Sequence, residues 1–105
     1  MTVAAIQAVA QSFTLQGRVT DQDMNPVELA TVSVAKQGKI AFTSLKGEFS
    51  MQLMSADSVV VKFSMIGYKT KTRVRRRPRG KQTMHIELHS EANRIDEVQV
   101  QGEQN

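Results

Sequence analysis

The sequence predicts an all-β domain, an antiparallel sandwich of six or seven short strands, and three observations lead there. Apolar residues recur at every second position in one segment after another. Turn-forming residues punctuate the chain roughly every 8–12 residues. No stretch in the body of the chain repeats apolar residues at i, i+3, i+4 and i+7, so any helix is confined to the first dozen residues.

Phe13, Leu15, Gly17 and Val19 alternate with Thr14, Gln16, Arg18 and Thr20, the pattern of a strand with one buried face. Asp21 to Pro26 is a turn, because Asp and Asn side chains bond to nearby backbone and Pro26 fixes φ. Ala30, Val32 and Val34 give a second strand, which Gln37-Gly38 turns into a third holding Ile40 and Phe42. Lys46-Gly47 breaks that strand, and Phe49, Met51 and Leu53 form a fourth. A short connection, Ser55-Ala56-Asp57, leads to Val59, Val61, Phe63 and Met65, the most apolar strand. Gly67 interrupts it. Tyr68 to Val74 continues extended, with Val74 expected to face inward, and Pro78-Arg79-Gly80 turns the chain into a last strand carrying Met84, Ile86 and Leu88.

Composition narrows the class further. A chain of 105 residues holds one domain, and with 40% apolar residues, four phenylalanines and no tryptophan its core is mainly aliphatic. Without cysteine there is neither a disulfide framework nor a thiolate metal site. No segment approaches the roughly 18–20 apolar residues of a membrane helix. Residues 1–11 are small and apolar, and Ala8-Val9-Ala10 before Gln11 fits a signal-cleavage site, but no Lys or Arg precedes Arg18. This stretch reads as a signal-peptide remnant or as a disordered tail. Residues 12–90 read as the sandwich and 91–105 as a flexible tail.

Chemistry-bearing motifs are few. Asp21, Asp23 and Asn25 are spaced as a calcium loop begins, but Pro26 and Val32 stand where such a loop needs Gly and Glu. His85 and His89, four apart on a strand, lie roughly 13 Å from each other and face solvent. No serine has the nucleophile-elbow context, no glycine-rich loop opens a helix, and the neighbouring carboxylates Asp96 and Glu97 have nothing to desolvate them. The expectation is a protein without catalysis, cofactor or metal.

Two segments remain as candidate sites. Arg73, Arg75, Arg76, Arg77, Arg79 and Lys81 put six cations into a nine-residue window, and without them the net charge of +4 would be slightly negative. They could meet phosphates, pair with an acidic neighbour, or line a solvated hairpin. No aromatic residue follows Tyr68 to stack bases, so nucleic acid is not the expected partner. Near the C-terminus, Ile95-Asp96-Glu97-Val98-Gln99-Val100-Gln101-Gly102 alternates again, with Val98 and Val100 on one side and Gln99 and Gln101 on the other. With two valines it is too small to order itself. It is either a strand lent to a partner's sheet edge or a frayed linker.

Several of these residues resemble the carboxypeptidase-regulatory-like family. Gly17-Arg18-Val19-Thr20-Asp21 followed by Pro26-Val27-Glu28-Leu29-Ala30-Thr31-Val32-Ser33-Val34 is similar to its opening. Thr43-Ser44-Leu45-Lys46-Gly47-Glu48-Phe49 resembles its hairpin, with Ser44 in place of the usual Asp. Phe63-Ser64-Met65-Ile66-Gly67-Tyr68 resembles a later strand. The resemblance, over roughly residues 13–89, implies a seven-stranded, transthyretin-like (prealbumin-like) Greek-key sandwich. In one branch such domains extend the N-terminus of SusC-like TonB-dependent transporters at the periplasmic face of the outer membrane. Asp96 to Gly102 then resembles the segment that engages a TonB-like energising protein, with plug and barrel to follow. Those parts are not among these residues, which implies an excised domain or a short relative with another use. The other expectation is a stand-alone sandwich that recognises a protein or ligand through residues 73–81.

Overall fold

The computed structural model describes residues 11–91. Seven strands run through them: β1 (Ser12–Thr20), β2 (Thr31–Val34), β3 (Lys39–Phe42), β4 (Glu48–Met54), β5 (Ser58–Ser64), β6 (Lys71–Arg76) and β7 (Gly80–Glu87). A 3-10 turn, Ala35–Gln37, joins β2 to β3 and closes on Gly38 in the left-handed region. The strands form two sheets, β4-β1-β7 and β3-β2-β5-β6, packed as a Greek-key sandwich. Four of the five pairings in that order are antiparallel, but β1 and β7 run parallel, from Phe13 beside Gly80 to Thr20 beside Glu87. This corrects the wholly antiparallel expectation. The β6–β7 connection crosses between the sheets at the end where β1 begins, so β7 has to run the same way as β1.

Alternation along the strands produces the core. Phe13, Leu15 and Val19 of β1, Phe49 and Leu53 of β4, and Met84 and Ile86 of β7 are buried, as are Val32, Val34, Val59, Val61 and Phe63 of the other sheet. Phe49 and Phe63 link the layers edge to face, with ring centroids 5.6 Å apart. Gly17 occupies the inner side of β1 between Leu15 and Val19. A Cβ there would overlap the carbonyl oxygen of Met84, so only hydrogen fits where β7 crosses close to β1.

The four-stranded sheet is wider than its partner, and its two edges show it. On β6, Arg73 and Arg75 lie beside the buried Val61 and Val59, on the core side of the sheet, while Val74 pairs with Val60 on the outer face and is 49% exposed. The expected inward Val74 is therefore wrong. Three strands leave the inner face of β6 uncovered, and long cations reach water there. On the other edge the same holds: Lys39 lies beside buried Val34, and Ile40 and Phe42 face outward and are exposed. Inward charge on an edge strand also discourages pairing with a foreign strand. The extension expected from Tyr68 onward begins only at Lys71, since Met65 and Tyr68 close a turn through Gly67 at φ 90°.

The loops are held by short polar side chains. Oδ1 of Asp21 accepts from the N–H groups of Asp23 (2.8 Å) and Asn25 (3.0 Å), which is the Asx geometry that the turn reading required. In the β3–β4 hairpin, Oγ of Ser44 accepts from the N–H groups of Lys46 and Glu48, both at 3.2 Å, so a hydroxyl closes this turn. Thr43, 2% exposed, ties the β1–β2 loop to the hairpin. Its hydroxyl donates to the carbonyl of Val27 (2.6 Å) and accepts from the N–H of Ala30 (2.8 Å), while its own backbone bonds Leu29 and Ala30 at 3.0 Å.

Two stability predictions follow from these contacts. Thr43→Val keeps the shape and strands a buried N–H and a buried carbonyl, for an expected loss of about 2–3 kcal/mol in denaturant unfolding. Thr43→Ser keeps the bonds and should lose about 1 kcal/mol; equal losses would show that the hydroxyl contributes nothing. Gly17→Ala forces β1 and β7 apart and should cost about 3 kcal/mol, and a variant melting with the parent would refute the close approach.

Candidate functional site

The predicted docking strand, Ile95 to Gly102, lies outside the described residues. The structure does define where the chain leaves the sandwich. The N–H of Leu88 bonds the carbonyl of Thr20 (2.8 Å), the N–H of Lys69 bonds that of His89 (2.9 Å), and the N–H of Glu91 bonds that of Gly67 (2.7 Å). Tyr68 and Ser90 form an antiparallel bridge. Nζ of Lys71 adds a bond to the carbonyl of Glu87 at 2.7 Å. Residues 88–91 are thus fastened to the end of β1 and to the β5–β6 turn.

The basic run does not make one surface. Arg73 and Arg75 are on the core side of β6 and Arg76 is on its outer side. Arg77, at φ 47°, and Arg79 are in the β6–β7 connection, where the N–H of Arg77 bonds the carbonyl of Asp57 and the Oγ of Ser55 donates to that of Pro78. Lys81 is on β7 beside Thr14. The run is therefore divided among a strand's two faces, a loop and a second sheet. No carboxylate among the described residues forms an ion pair with any of the six.

A depression of about 720 Å³ beside β1 is lined by Gln16, Arg18, Glu48, Thr83, His85 and Phe42, among others. Arg18 and Glu48 approach to 3.9 Å across it and are both well exposed. The imidazole of His85 meets the hydroxyl of Thr20 at 3.1 Å. Thr20 is 2% exposed, so its oxygen is walled off from any substrate, and no described carboxylate orients the ring. The arrangement fixes a side chain; it does not assemble a nucleophile, a base and an orienting group. His89 is exposed like His85, and its Nε2 faces the Glu87 carboxylate at 3.3 Å. Thr20 and Lys71 escaped the sequence reading, because their partners come from the parallel pairing of β1 with β7 and from the path beyond it, and no local pattern announces either.

Comparison with solved structures returns the same architecture. A chain in a type II cohesin–X–dockerin complex from Acetivibrio cellulolyticus matches with a TM-score of 0.65 at 17% identity, covering 74% of this chain and 58% of that one. A DUF3823 family protein from Parabacteroides merdae matches at 0.58 and 16% identity, over 78% and 48% of the two chains. A catechol 1,2-dioxygenase mutant from Acinetobacter radioresistens matches at 0.67 and 13%, over 96% and 58%. Identities this low speak for the fold alone, and the chain spans less than two thirds of each of these structures. No curated protein sequence matches. A sequence model of the CarboxypepD_reg-like domain matches residues 15–100. That span takes in β2 to β7 whole and most of β1, and the chain belongs to the CarboxypepD_reg-like domain family.

Proposed function

We propose that this β-sandwich module is a non-enzymatic extension of a TonB-dependent transporter, on the periplasmic side of the outer membrane, and that residues 95–102 couple it to a TonB-like energising protein. The observation that supports the reading most directly is the segment Asp96-Glu97-Val98-Gln99-Val100-Gln101-Gly102 coming soon after the fastened exit at Glu91. Asp96 is five residue steps beyond Glu91, a covalent reach of at most about 18 Å. The sandwich then acts as a rigid block beside a docking strand. β-augmentation supplies the affinity through main-chain bonds to an edge strand of the partner, and Val98 and Val100 set the register on one side. Plug and barrel of the same transporter are the neighbours this reading gives the module.

The test is a titration of the full chain against the C-terminal domain of a TonB protein from the same source, followed by backbone NMR. Val98→Pro removes a ladder donor and should weaken binding by about tenfold or more. Gln99→Ala should bind like the parent, as should the triple charge reversal of Arg75, Arg76 and Arg77. Normal binding by the proline variant would dismiss the strand, and loss on charge reversal alone would move recognition to residues 73–81.

A further inference from the structure

The strand directions sort the charges by end. β1, β3, β5 and β7 begin at one end of the sandwich, where β2, β4 and β6 finish. This entry end carries Lys36, Lys39, Arg76, Arg77, Arg79 and Lys81, with Asp57 as its one carboxylate among the described residues. The opposite, exit end carries Asp21, Asp23, Glu28, Glu48, Glu87 and Glu91, which outnumber Arg18, Lys46, Lys69 and Lys71. All six cations of the entry end are exposed, and their side chains make no ion pair and no hydrogen bond with described residues. Two of the six, Lys36 and Lys39, are far from the arginine run in sequence and join it only through the topology.

We infer that the entry end docks the sandwich on an anionic lipid surface. The cations stand on separate loops and strand ends of both sheets, so they present a spread of charge instead of a pocket around one anion, which matches a plane of headgroup phosphates better than a single acidic peptide. Arginine suits phosphate, with a guanidinium that bonds two oxygens at once. An apolar recess of about 570 Å³ opens at the same end, lined by Val34, Ala35, Met54 and Val60 among others, next to Lys36. Basic charge around an apolar recess is the composition of an interfacial contact, where phosphates meet the cations and the outermost acyl methylenes meet the recess. Each cation near such a surface contributes a factor of about five to binding. The inference stands independently of the docking strand. If both hold, the lipid contact and the fastened exit at Glu91 lie at opposite ends of the sandwich.

Co-sedimentation of the full chain with vesicles tests it, using phosphatidylcholine alone and phosphatidylcholine with about one third phosphatidylglycerol. Binding is expected to the mixed vesicles only and to fade in high salt. Neutralising Arg76, Arg77 and Arg79 to Gln should weaken it about a hundredfold. Neutralising Arg18, Lys46 and Lys69 to Gln makes the same change in net charge at the other end and should leave binding within a few-fold of the parent. Thermal unfolding checks that both triples are folded. Equal loss in the two triples, or no binding to the mixed vesicles, overturns the inference. Binding to soluble polyglutamate without binding to vesicles also overturns it, in favour of an acidic protein.

Discussion

Much of what is distinctive about this domain follows from a sheet of three strands having to pack against a sheet of four. The shared width buries a core of aliphatic residues and three phenylalanines, two of them edge to face. The excess width leaves the inner faces of β3 and β6 at the rim, where Lys39, Arg73 and Arg75 occupy positions that alternation would assign to valine or isoleucine. An ionised group in a dry interior would be very unfavourable. At the rim a long stem can lie over apolar surface while its charge stays in water. The apolar residues of those strands are correspondingly displaced to the outer face, which is why Ile40, Phe42 and Val74 are exposed.

That mismatch also marks how far the sequence could be read. On β1, β2, β4, β5 and β7 the period-2 pattern reports burial correctly, because each of these strands has its inner face covered. On β3 and β6, the edges of the wider sheet, the same pattern runs in reverse. Thr72-Arg73-Val74-Arg75 alternates as cleanly as any segment in the chain, but the residue that is buried cannot be named until it is known whether anything covers the strand. Local turn chemistry was legible for a different reason: the bonds of Asp21, and the left-handed Gly38, Gly47 and Gly67, depend on residues within a few positions. Thr43 and Thr20 were not. Their partners stand 13 to 65 residues away, and a buried threonine looks in sequence like any other strand threonine.

The candidate site divides along the same line. As a sequence, residues 73–81 form one basic block. Folding distributes it over two faces of β6, a connection and the start of β7, then recombines part of it with Lys36 and Lys39 at one end of the sandwich. A cluster in sequence and a cluster in space are different objects here. The second is the one the folded surface presents, and only the strand directions reveal it.

These directions carry a consequence for how the module would sit in a larger assembly. Seven strands bring the chain in at one end and out at the other: Gln11 bonds the N–H of Ser55 at the entry end, and Glu91 is held by Gly67 at the exit end. An even number of passes would have returned both connections to one face, and a docking strand after the last pass would then compete with whatever that face contacts. Seven passes separate the two. The hydrogen bonds that close residues 88–91 onto β1 and the β5–β6 turn hold this exit in place, and they would resist peeling of the last strand under a pull from beyond it. The parallel β1–β7 pair is part of the same arrangement. It lets β7 finish beside the end of β1 at the exit, where the carbonyl of Thr20 takes the N–H of Leu88, so a force applied beyond Glu91 is carried into the central strand of the three-stranded sheet.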